Sequence, residues 1–149
     1  PGHRTPRCDQ VGDAAFRMSD DEDDEHWTAE GGIIAIHKWP LPNVWLGTSI
    51  TNQADADERI AWLQKTPAAV RFLSLEPLLG SVDLSNHLPG IGWVIIGAQT
   101  GPGAIRPKGE GAEGIVNQCR AAGVPVFMKR NLESIWRGEL IQEYPEVPI

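Results

Sequence analysis

Four apolar runs in this 149-residue sequence each stop at residues able to hydrogen-bond or carry charge. Val44–Ile50 runs through Thr48 and Ser49 toward Asn52. Val70–Leu75 contains Ser74 and is followed at once by Glu76. Trp93–Gly97 leads to Gln99 and Thr100, then to the turn Gly101-Pro102-Gly103 and Arg106. Pro125–Met128 ends at Lys129 and Arg130. Brought to one place, these groups would line a polar pocket for a small molecule. Pro77 keeps the backbone at Glu76 extended and so aims its carboxylate, for binding or for a structural salt bridge. Lys129 can take an anion or pair with Glu76, and Arg106 suits an anion equally. The glycine-rich turn can offer backbone N–H groups to a phosphate, carboxylate or ribose. Its spacing matches neither the dinucleotide fingerprint nor the P-loop, so a plain tight turn stands beside that reading. No nucleophile triad and no metal-ligand cluster is visible, and no residue can be named as catalytic.

Those residues need elements that present them together. The four apolar runs read as strands whose starts lie roughly 25 residues apart, enough for a crossover helix between parallel neighbours. Asn52 to Lys65 has the plan of such a helix: Asn52 to cap it, Asp55, Asp57 and Glu58 early, Ile60 and Leu63 on one face, and Pro67 beyond its end. Glu113 to Ala122 repeats the plan, with Ile115, Val116 and Cys119 inward and Gly123 to stop it. Between the second and third strands, Leu78–Gly92 carries Asn86, Pro89 and Gly90 and reads as a loop. The fold class is α/β, a partial (β/α) TIM-like barrel of about four parallel strands. In parallel sheets of this kind, ligands gather beyond the C-terminal ends of the strands, where the polar residues fall.

The first 38 residues differ from the rest. They hold the acidic run Asp20-Asp21-Glu22-Asp23-Asp24-Glu25 and no sustained period, and they read as a disordered, solvated tail, with a possible short strand over residues 31–36. That run accounts for six units of the formal net charge of −7, so the rest is close to neutral and no basic face is available for nucleic acid. The two cysteines, Cys8 and Cys119, lack neighbours at ligand spacing, which argues against a disulfide scaffold or zinc site. No apolar run approaches the ~18 residues a membrane helix needs. A cytoplasmic protein is expected, and the lack of an initiating methionine suggests a fragment or trimmed product. The histidines stand alone, and the tryptophans from Trp39 to Trp136 are spread out as core or interface anchors.

From Trp39-Pro-Leu-Pro-Asn-Val-Trp-Leu-Gly-Thr-Ser-Ile-Thr-Asn-Gln53 the sequence resembles a phage-associated protein family of unknown function found in bacteriophages, prophages and bacteria. The likeness continues through Thr66–Gly80, Trp93–Gly97, Cys119–Lys129 and Glu139–Pro145. Full-length members resemble radical S-adenosylmethionine enzymes: a TIM-like barrel whose upstream half carries a three-cysteine motif ending in C-x-x-C-Y. The resemblance covers residues 39–149, the C-terminal half alone. It implies that S-adenosylmethionine and an iron–sulfur cluster would come only with the missing N-terminal half, and that this chain holds neither by itself. Where the family usually reads Gly-Gly-Glu-Ser-Gly, this chain has Gly97-Ala98-Gln99-Thr100-Gly101, an amide in place of a carboxylate. Glu76, Arg106 and Lys129 match the family and gain standing as pocket residues beside Ser49, Asn52, Ser74 and Gln99.

Two functions follow as expectations. One is the C-terminal part of a radical S-adenosylmethionine-like enzyme, inactive alone. The other is a non-catalytic phage or prophage module for binding or assembly. Either half-barrel should leave two raw sheet edges and an exposed apolar face, and so should self-associate or recruit the missing half.

Overall fold

The computed structural model describes residues 26–27, 33–34, 39–105 and 107–146. The chain divides into two compact units, Pro1–Trp39 and Pro40–Ile149. In the first, β1 (His26–Trp27) pairs antiparallel with β2 (Ile33–Ile34), Trp27 facing Ile33. The strand expected over residues 31–36 is therefore present in part. The disorder expected for the other residues before Trp39, acidic run included, falls outside the described residues.

The second unit contains β3 (Trp45–Ser49), α1 (Gln53–Lys65), β4 (Val70–Leu75), β5 (Trp93–Ile96), α2 (Gly109–Ala122) and β6 (Val126–Met128). The four strands form one all-parallel sheet in the order β3-β4-β5-β6, each beside its neighbour in sequence. All four expected strands are present, each trimmed by no more than a residue at either end. Helices α1 and α2 supply two of the crossovers that parallel pairing demands.

Helix α1 starts where the sequence placed it. Asn52 is extended, and its side-chain oxygen accepts from Asp55 N–H at 3.0 Å. Asp55 Oδ2 in turn accepts from the Thr51 hydroxyl (2.6 Å) and Thr51 N–H (3.0 Å). At the far end Arg71 Nε donates to the carbonyls of Leu63 (3.1 Å) and Thr66 (3.0 Å), partners that the last helical turn otherwise lacks. Helix α2 begins at Gly109, four residues before the expected Glu113. Gly109, Gly111 and Gly114 masked that first turn, since glycine is a poor helix former. Gly109 serves close approach instead: a Cβ there would lie 3.1 Å from Ile135 O. Gly123 ends the helix at φ 68°, the left-handed turn that a side chain would disfavour.

The helix-facing side of the sheet is the core. Leu73, Leu75, Val94, Ile96, Val126 and Met128 are buried there with Ile60 and Leu63 of α1 and Ile115, Val116 and Cys119 of α2. No helix joins β4 to β5. Leu78–Gly92 is irregular, as expected, yet it buries Leu78, Val82, Leu84, Leu88 and Ile91 in the same core. Three glutamines replace the missing helical hydrogen bonds. Gln53 exchanges bonds with Asp83 N–H (2.7 Å) and C=O (3.1 Å), Gln64 donates to the carbonyls of His87 (3.0 Å) and Pro89 (2.9 Å), and Gln118 holds Leu84 N–H and Val82 C=O.

One sheet edge is closed. Met128 N–H donates to Ile141 C=O (2.7 Å) and Glu143 N–H to Val126 C=O (2.9 Å), so a C-terminal segment lies antiparallel along β6. The expectation of two raw edges is corrected for the four-stranded sheet: among the described residues β3 is its one strand without an outer partner. Residues 141–143 carry no strand period, which hid this pairing.

Candidate functional site

Side chains alternate across a strand, so the pairing register fixes what the sheet shows on the face turned away from the helices. Four levels result. Trp45 stands beside Val70, then Gly47 beside Phe72 and Trp93. Ser49 stands beside Ser74, Ile95 and Phe127, and the register carried one step further sets Glu76, Gly97 and Lys129 in line. Val70 and Gly97 are buried on this face, and its other positions are half-buried or exposed.

The lower levels are aromatic. Trp93 is the hub: its ring lies 6.0 Å from those of Trp45 and Phe127, 6.1 Å from Phe72 and 5.6 Å from Tyr144. Its indole N–H donates to Glu143 C=O at 2.9 Å, so the polar atom of the hub is satisfied. Phe72 lies flat over β3 because Gly47 has no side chain; a Cβ there would fall 2.4 Å from the ring.

The top level is ionic. Lys129 Nζ donates directly to Glu76 Oε2. The two belong to strands two apart, a gap of roughly 9.5 Å between backbones. They meet because the strand between them offers Gly97. A Cβ at Gly97 would lie 2.7 Å from Glu76 Oε1, so the carboxylate occupies the space a side chain would take. The two readings left open for Lys129 are thus resolved for this state: it pairs with Glu76. Their side chains keep 43% and 27% of their exposure, so the pair is accessible from solvent and contributes at most about 1 kcal/mol to stability.

The other expected pocket residues divide. Ser49 and Ser74 sit side by side one level below the ion pair, and among the described residues neither hydroxyl has a hydrogen-bond partner. Asn52 is committed to capping α1 and is not part of this face. Gln99 is exposed, and its side-chain oxygen accepts from Ile105 N–H at 2.9 Å, closing the glycine-rich turn. Arg106 lies outside the described residues. Two residues escaped the sequence reading. Gly97 could have been suspected as a lone glycine ending an apolar strand. Asn131 gave no signal: its carboxamide pairs with Ala98 N–H (3.1 Å) and C=O (2.8 Å), prolonging the sheet beyond β5 as a strand would.

A cleft of about 740 Å³ lies at the opposite end of the sheet, lined by Val70, Arg71, Gly92, Arg120, Val124 and Glu143 among others. Two of its polar groups hold the chain together. Arg71 is engaged with α1, and Glu143 Oε2 accepts from Val126 N–H at 3.0 Å.

Among the described residues no group of three or more His, Cys, Asp or Glu is placed to hold a metal, and no helix is long and apolar enough to cross a membrane. Cys119 is buried, and burial, with a smaller push from the Glu143 carboxylate, drives its thiol up to about 12. Two cysteines cannot by themselves supply the three thiolates of a three-cysteine cluster site.

Fold and site together define an α/β protein with a four-stranded parallel sheet and an ion-paired rim beyond the strand ends. A family model described as a protein of unknown function, DUF5131, matches residues 5–139, and the chain belongs to that family. The match takes in most of the segment before Trp39 as well as the sheet. No curated protein and no solved structure matches the chain.

Proposed function

We propose that this chain is the C-terminal, ligand-facing part of a TIM-like (β/α) barrel enzyme of the phage-associated, radical S-adenosylmethionine-like kind, working in the cytoplasm and inactive alone. The observation that carries it is the Glu76–Gly97–Lys129 line, an accessible ion pair at the C-terminal end of consecutive parallel strands, on the face that would point into a barrel. In that reading Ser49, Ser74, Glu76 and Lys129 bind and orient a small molecule, and the cluster thiolates and the remaining strands come from residues other than these 149. Any iron–sulfur cluster would supply radical chemistry from that other half, and the residues here serve binding and positioning.

The test is anaerobic purification of this chain alone and together with a three-cysteine segment of a longer family member, followed by iron and sulfide analysis and titration with S-adenosylmethionine. The chain alone should carry neither iron nor sulfide. The assembled pair should carry both and should bind S-adenosylmethionine, and an assembly lacking iron and sulfide would overturn the radical reading. A second reading, a non-catalytic phage or prophage module, is favoured by the β3 edge, which can recruit a second copy or another strand. It predicts stable association with no small-molecule binding at the rim.

A further inference from the structure

We infer that the rim takes a zwitterionic small molecule with an apolar or aromatic tail, an amino acid of that kind being the simplest member of the class. The inference rests on the reading of this rim as a ligand site and adds the chemistry of the ligand. Glu76 and Lys129 satisfy one another, and among the described residues neither has a second charged partner. A simple anion that reached Lys129 would displace Glu76 and leave its carboxylate unmatched, and a simple cation at Glu76 would strand the ammonium. A singly charged ligand therefore gains only the difference between its new contact and the Glu76–Lys129 contact that it breaks. A ligand bearing both signs avoids this. Its carboxylate meets Lys129, its ammonium meets Glu76, and one ion pair becomes two with no charge left over.

The rest of the face fixes the tail. Directly below the pair stand Ser49, Ser74, Ile95 and Phe127, and below them Phe72 and Trp93. No residue that β3, β4, β5 or β6 presents on this side below the rim is charged. A ligand anchored by its head at the pair therefore lays its remainder on hydroxyls and then on apolar and aromatic surface, the usual mix of a small-molecule site. Gly97 lets the two charges meet, since any side chain there would take the space that the Glu76 carboxylate occupies.

The test is an amide-resolved NMR titration of the ¹⁵N-labelled 149-residue chain with three probes of one shape: L-phenylalanine, phenethylamine and 3-phenylpropionate. L-Phenylalanine should shift the Gly97 and Lys129 amides saturably, while each singly charged analogue binds about tenfold more weakly or worse, the equivalent of about 1.4 kcal/mol. Glu76→Gln should abolish the L-phenylalanine response, and the charge-swapped double variant Glu76→Lys/Lys129→Glu should restore it with the head reversed. Dispersed spectra of both variants show that they fold. A pair that only braces the strands would tolerate the swap but give no preference for the zwitterion. Equal or tighter binding of either singly charged probe would overturn the inference and leave the rim a ligand site. Silence toward all three probes would overturn it too, while S-adenosylmethionine binding by the assembled pair would still stand as a separate result.

Discussion

The two ends of the exposed sheet face are built on the same device and use it oppositely. At the lower end Gly47 leaves room for the ring of Phe72, and the result is a closed aromatic mosaic around Trp93. At the upper end Gly97 leaves room for the carboxylate of Glu76, and the result is an accessible charge pair. A missing Cβ admits either packing or chemistry, and which one depends on the neighbour two strands of register allow. The aromatic end should carry stability and the ionic end should carry binding.

Trp93→Ala is the largest blow to that contrast. It removes the ring shared by four aromatic contacts and should cost about 3 kcal/mol in urea unfolding, and the folded fraction should answer L-phenylalanine more weakly because Trp93 is part of the surface that takes the tail. The glycine pair sharpens it. Gly47→Ala drives a methyl into a packed ring and should cost about 2 kcal/mol. Gly97→Ala meets the end of a flexible side chain and should cost under about 0.5 kcal/mol, yet it should part Glu76 from Lys129 and abolish rim binding. Equal stability losses from the two substitutions would break the comparison.

The smallest effect belongs to the support of the ionic end, where Arg59 pairs with Asp55 (2.8 Å) and donates to Ser49 C=O (2.7 Å). The Thr51 hydroxyl and N–H hold the Asp55 carboxyl below its usual range. A depressed carboxylate adds stability above its unfolded pKa and loses it as pH falls through the lower folded value. Stability should therefore decline on acidification below the ordinary aspartate range, and Asp55→Asn should flatten that slope in pH-dependent unfolding.

The sequence made the frame legible because parallel strands buried on a helix layer must read as unbroken apolar runs, and Val70–Leu75 and Trp93–Ile96 do. Asn52 and Gly123 announced their helix ends by residue type alone. The rim was half legible. Glu76 and Lys129 stood out because charge follows an apolar run, but their partnership depends on Gly97, and a residue that acts by having no side chain leaves little trace. Asn131 and the segment along β6 were hidden for a related reason: each completes the sheet with hydrogen bonds that carry no hydrophobic period. The start of α2 was obscured by its glycines, of which Gly109 serves a close approach to Ile135.

The closed β6 edge has a consequence for how copies of this chain can meet. Strand-to-strand addition propagates only through units that are adhesive on both sides, as in a fibre. With residues 141–143 laid along β6, the sheet of the described residues has a valence of one: β3 can accept a single neighbour, and an edge-to-edge pair of β3 strands is then complete. Two copies joined that way would be related by a two-fold axis and would stop there.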